Sequence, residues 1–76
     1  MNEKRRKRLQ EAIGHLEKAS DIVQDCSMEE QEAYDNLPEV FQWNERGERM
    51  QEAVSTMEEA VSLIDEATQL VSSVVE

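Results

Sequence analysis

Small and apolar residues return every seven positions along both ends of this chain, and that spacing constrains the fold more than any other feature. A seven-residue apolar repeat is a helix-packing pattern. From about Asn2 to Cys26, Leu9, Leu16 and Val23 hold one seam position, and Ala12, Ala19 and Cys26 hold the other. Ile13 and Ile22 stand beside them. No proline interrupts this stretch, and Gly14 alone weakens it, by about 1 kcal/mol relative to alanine.

The last segment repeats the pattern. Asn44 is a suitable N-cap, and Glu45 sits where the helix dipole favours an acid. The helix then runs from about 45 to 74, with Met50, Met57, Ile64 and Val71 at one seam position. Ala53, Ala60, Ala67 and Val74 occupy the other. Alanines at this spacing predict close backbone approach, so the expected fold is all-α: two long antiparallel helices meeting through an alanine seam. The segments also resemble each other at an offset of 41 residues. Glu11-Ala12-Ile13, Leu16-Glu17 and Ala19 answer to Glu52-Ala53-Val54, Met57-Glu58 and Ala60. Duplication and convergence within a limited alphabet both produce such a match.

Between the helices, Ser27 and Glu30 form a capping-box pattern. It predicts a new short helix from Met28 to about Asn36. Leu37-Pro38 ends it, since the residue before proline disfavours helical geometry. Pro38 then starts a further turn through Val40 and Phe41. The organisation read here is one domain, 1–76: a helix over 2–26, a short helical connector over 28–43, and a helix over 45–74. A connector this long exceeds the 2–8 residues usual between packed helices. It is therefore expected to fold back and cap one end of the hairpin.

A chain of 76 residues buries only about 60% of its unfolded surface and is marginal alone. The last helix also carries more apolar surface than one partner covers. Self-association follows, as a homodimeric four-helix bundle of coiled-coil character. The expected oligomer interface is Val54, Val61, Leu63, Leu70, Val71, Val74 and Val75.

Charge divides the chain. Net charge is −10, yet Lys4, Arg5, Arg6, Lys7 and Arg8 against Glu3 give residues 1–8 a charge of +4, leaving −14 for the rest. The acidic body repels nucleic acid and anionic membrane, whereas the N-terminal tip attracts them. No apolar run reaches membrane-spanning length, and no apolar stretch follows the basic residues as in a signal peptide. One cysteine, Cys26, fits a reducing cytoplasm.

Site chemistry is sparse. No phosphate loop, nucleophile elbow or zinc pattern occurs. His15 follows Glu11 by four residues, but the Glu-x-x-His spacing of bundle metal sites is lacking. No metal or cofactor is expected, and no catalytic residue. Cys26 lies between acids, which disfavour a thiolate, so it reads as a packing residue.

Two surfaces remain. Tyr34, Phe41 and Trp43 fall within ten residues, with Leu37 and Val40 among them. They either plug the end of the hairpin or anchor a partner, with Glu29, Glu30, Glu32 and Asp35 as a charged rim. The run Lys4–Arg8 is a solvated helix start, a contact for an anion, or an assembly contact.

Glu30-Gln31-Glu32-Ala33-Tyr34-Asp35-Asn36-Leu37-Pro38-Glu39 and Glu45-Arg46-Gly47-Glu48-Arg49-Met50 resemble a pattern in small acidic helical proteins of phages and mobile elements of Gram-positive bacteria. The resemblance covers most of the chain. It implies an accessory protein that interferes with a host process, and it brings no functional residues with it.

The leading expectation is a non-enzymatic, cytoplasmic interaction module that dimerises and offers its acidic, aromatic surface to a basic or nucleic-acid-binding host protein. The alternatives are a homo-oligomer that gathers Lys4–Arg8 around an anionic ligand such as a nucleotide, and a purely structural assembly protein.

Overall fold

In the computed structural model, which describes residues 1–76, the chain forms α1 (Glu3–Asp35), α2 (Glu39–Gln42) and α3 (Glu45–Val75). α1 and α3 lie side by side as an antiparallel hairpin measuring 59 × 14 × 13 Å. Asparagines start both long helices. Asn2 Oδ1 accepts from the Arg5 N–H at 2.9 Å, and Asn44 Oδ1 accepts from the Gly47 N–H at 3.2 Å. Each satisfies one of the donors a helix start leaves unpaired.

α1 corrects two expectations. It does not end at Cys26 but continues to Asp35, and the connector shrinks from residues 28–43 to 36–44. Ser27 is not a cap. It is a buried residue inside α1. A capping serine needs extended backbone, and here tertiary packing outweighs that local option. Continuing the helix brings Ser27, Glu30 and Tyr34 into partial or full burial, and it runs α1 alongside the start of α3.

The seam is also rotated from its expected phase. On α1, covered residues alternate by three and four: Arg6, Leu9, Ile13, Leu16, Ser20, Val23, Ser27, Glu30 and Tyr34. On α3 they are Gly47, Met50, Val54, Met57, Val61, Ile64, Thr68, Val71 and Val75. This is a heptad pattern. The leucine and methionine rows hold the d positions, as expected. The a positions are Ile13, Ser20, Ser27 and Tyr34 on α1, and Gly47, Val54, Val61 and Thr68 on α3. The alanines fall one residue earlier, at position g; Ala12, Ala19, Ala53, Ala60 and Ala67 are half-buried like most of the seam, and the buried residues Ser20, Ser27, Gly47 and Val54 all lie in the a rows. Cys26, in the alanine row, is exposed. The buried residues of α1 are thus two serines, not the alanines.

One side-chain hydrogen bond joins the long helices: Ser20 Oγ donates to Asp65 Oδ1 at 2.7 Å. It fixes the register. Ser27 faces the same groove as Glu58 and Val61, so each step up α1 is a step down α3. By that register Ile22 and Leu63 stand level, at the middle of the hairpin. These two residues are also related by the 41-residue offset. The internal repeat therefore makes the hairpin quasi-two-fold, with the axis passing between Ile22 and Leu63.

Very little is buried. Val54, 5% exposed, is the sole buried apolar side chain, and none is fully withdrawn from water. It was expected at an oligomer interface, but it lies inside the hairpin because position 54 belongs to the a row that faces α1. Val61, Val71 and Val75 follow it as half-buried residues of the same seam.

Candidate interaction surfaces

The corner between α1 and α3 is tightly closed. The Leu37 N–H reaches back to the Tyr34 carbonyl at 3.0 Å, and Pro38 begins the single turn of α2. Gln42 then turns its amide toward the end of α1. Nε2 donates to the Tyr34 and Leu37 carbonyls, each at 3.2 Å. The Tyr34 carbonyl, already bonded to the Leu37 N–H, takes a second donor, and the Leu37 carbonyl beyond the helix end gains one. Gly47 completes the corner. It is buried, and a Cβ there would fall on the Gln42 carbonyl oxygen and 2.8 Å from the Phe41 carbonyl oxygen. Glycine lets α2 lie against the first turn of α3.

This scaffold turns its apolar side chains outward. Trp43 is 78% exposed and Val40 72%, and Phe41 is also exposed. Tyr34 and Leu37 are half-buried and do the covering expected of the whole cluster. Glu29, Glu32 and Asp35 are exposed and Glu30 is half-buried. Gln31 Nε2 holds Asp35 by donating to its Oδ1 at 2.9 Å. Arg49 pairs with Glu45 at 3.4 Å across one turn of α3, both exposed. The corner thus presents large apolar groups on a backbone fixed by hydrogen bonds, ringed mainly by carboxylates. Gln42 and Gly47 escaped the sequence reading. A glycine two residues inside a helix start was the available signal.

At the opposite end, Lys4, Arg5, Lys7 and Arg8 are exposed, while Arg6 is half-buried with its Nε out of water and without a hydrogen-bond partner. Five successive helical residues at 100° each encircle the helix. One chain therefore spreads these charges around α1 and does not gather them at a point. His15 Nε2 lies 3.8 Å from Glu11 Oε1, with both side chains in solvent. No group of three or more His, Cys, Asp or Glu side chains is placed to hold a metal ion. No helix is long and apolar enough to cross a membrane.

The two broad sides of the hairpin differ sharply. In an antiparallel helix pair, e positions share one side and g positions the other. The e side carries Glu17, Gln24, Glu58 and Asp65, and a shallow groove lined by Glu17, Ser20, Asp21, Gln24 and Asp65 spans both helices there. The g side carries Ala12, Ala19, Cys26 and Ala33 on α1, and Ala53, Ala60, Ala67 and Val74 on α3. Ile22, Leu63 and Leu70 border it from position c and are exposed. No protein-family model, curated protein or solved structure matches this chain.

Proposed function

We propose that the protein is a non-enzymatic interaction module whose closed corner docks onto a basic protein surface. The observation that carries this reading is the exposure of Trp43, Val40 and Phe41 on a corner held by the Gln42 and Gly47 contacts. Tryptophan dominates interface hot spots because it buries a large area with few rotatable bonds. Exposing it costs solvation free energy, and a bound partner removes that cost. The preformed backbone limits the ordering entropy that docking would otherwise require.

The charge around the anchor selects the partner. Residues 29–49 carry seven carboxylates against Arg46 and Arg49. That potential attracts cationic surfaces and rejects acidic ones. Nucleic-acid-binding proteins present such surfaces, and occupying one would block its phosphate contacts. This agrees with the accessory role in a phage or mobile element, acting in the cytoplasm, that the sequence resemblance implies.

Affinity capture from the native host, compared between wild type and Trp43→Ala, tests the reading. A basic protein retained at low salt, released near 1 M salt where the Debye length falls to about 3 Å, and lost with Trp43→Ala is the expected result. A partner that survives both changes rules the corner out.

A further inference from the structure

We infer that the g side of the hairpin is covered by a second copy of this chain, stacked antiparallel so that α1 lies on α1 and α3 on α3. This face is independent of the corner around Trp43. At its centre stand Ile22 and Leu63, 53% and 58% exposed, level with each other across the alanine rows. Leu70 and Val74, also exposed, extend the same face toward the open end. The d residues Leu16, Met57 and Ile64 are half-buried and lean on this side of the seam. The alanines between the large residues leave low ground that lets the two hairpins approach, and the two-fold sets Ile22 against the second copy's Ile22 and Leu63 against its Leu63. The e side offers nothing comparable.

Area identifies the occupant as a large one. The chain exposes 5892 Å², whereas a compact chain of its mass exposes about 4,800 Å². The excess, about 1,100 Å², compares with the roughly 800 Å² that each partner contributes to a standard interface. The radius of gyration agrees, at 17.3 Å against about 11 Å for a compact domain of this length. The face runs about 32 Å, from Ala12 to Ala33 on α1 and from Ala53 to Val74 on α3, a little over half of the 59 Å length. A second hairpin has the same length and the same low-lying rows, and its own face needs the same cover.

Charge selects the orientation. Parallel stacking would set two acidic corners together and two basic starts together. Antiparallel stacking sets Arg5 and Arg8, which border this face at positions g and c, over the acidic residues 29–39 of the second copy. It also sets Arg46 and Arg49 beside the Glu76 end of the second α3. Both pairings are attractive. The dimer axis crosses the quasi-two-fold axis of each hairpin at the level of Ile22 and Leu63, so the four helices approach 222 symmetry.

Ala19→Cys tests the arrangement with little disturbance of the fold, because residue 19 is small and lies outside the seam. On one helix residue 19 and Cys26 are about 10.5 Å apart, too far for a disulfide. In the antiparallel dimer they lie on either side of the axis, about 4.5 and 6 Å from it, so residue 19 of one copy stands within about 1.5 Å in height of Cys26 of the other. Mild oxidation is expected to give a covalent dimer whose linked peptides join residue 19 to Cys26 between copies. Trp43→Ala should leave that link unchanged. A monomer at all concentrations overturns the inference, as does a dimer in which the new thiol fails to meet Cys26.

Discussion

Two glycines in this chain are predicted to respond to the same substitution with opposite signs. Gly14 lies in the exposed body of α1, and a Cβ built there meets nothing within 4 Å. Gly14→Ala should therefore yield the helix-propensity difference alone, a gain of about 1 kcal/mol. Gly47 lies in the first turn of α3, where the new Cβ meets three backbone atoms of Phe41 and Gln42 within 2.8 Å. Backbone cannot rotate away as a side chain can, and α2 is tethered by the Gln42 amide. Overpacking of this kind costs about 1–3 kcal/mol. The contact is severe, so a cost near 3 against a propensity gain of about 1 leaves a net loss of about 2 kcal/mol. The two variants should then differ by about 3 kcal/mol, or about 12–24 °C in melting temperature for a chain of this size. Thermal unfolding followed by circular dichroism reads this directly, at one fixed protein concentration because association shifts the midpoint. If Gly47→Ala stabilises as much as Gly14→Ala does, α2 is not seated against α3 and the rigid corner does not exist.

Three further substitutions probe the seam and its surroundings. Val54→Ala should cost about 2 kcal/mol in urea unfolding, since it trims the one apolar side chain that is buried, whereas the exposed Val40→Ala should stay within about 0.5 kcal/mol. Ser20→Ala and Asp65→Ala should each destabilise by about 1 kcal/mol and be clearly non-additive in a double-mutant cycle, because they share one hydrogen bond; independent effects would place Asp65 elsewhere. Ala60→Leu should leave the hairpin helical but lower its association, since residue 60 lies on the covered face and outside the seam. Loss of helicity in that variant would restore the alanine seam.

The helices were legible because their heptads are long and uninterrupted. The phase of the seam was not. Ala12 stands beside Ile13, Ala19 beside Ser20 and Cys26 beside Ser27, so two neighbouring rows both satisfy the spacing around Leu9, Leu16 and Val23. Apolarity favoured the alanines. The structure chooses the serine row, which also half-buries Ile13 and Tyr34 and lets Asp65 satisfy the Ser20 hydroxyl. The end of α1 was missed for a related reason. Ser27 and Glu30 carry a local capping signal, while the pull to continue comes from α3, some thirty residues away in sequence. At the corner, the aromatic cluster was visible but its direction was not. Whether Trp43 points in or out depends on Gln42 and Gly47 closing the backbone beneath it.

In the proposed dimer the alanine rows keep a role in packing, moved from within one hairpin to between two. Sedimentation equilibrium over a wide concentration range, on wild type and on the Ile22→Glu, Leu63→Glu double variant, tests this most directly. Wild type should sediment at twice the 8.8 kDa chain mass, and the double variant, altered only at exposed positions, should sediment at 8.8 kDa. A wild type that stays at the chain mass, or a double variant that dimerises as well as wild type, would contradict the account.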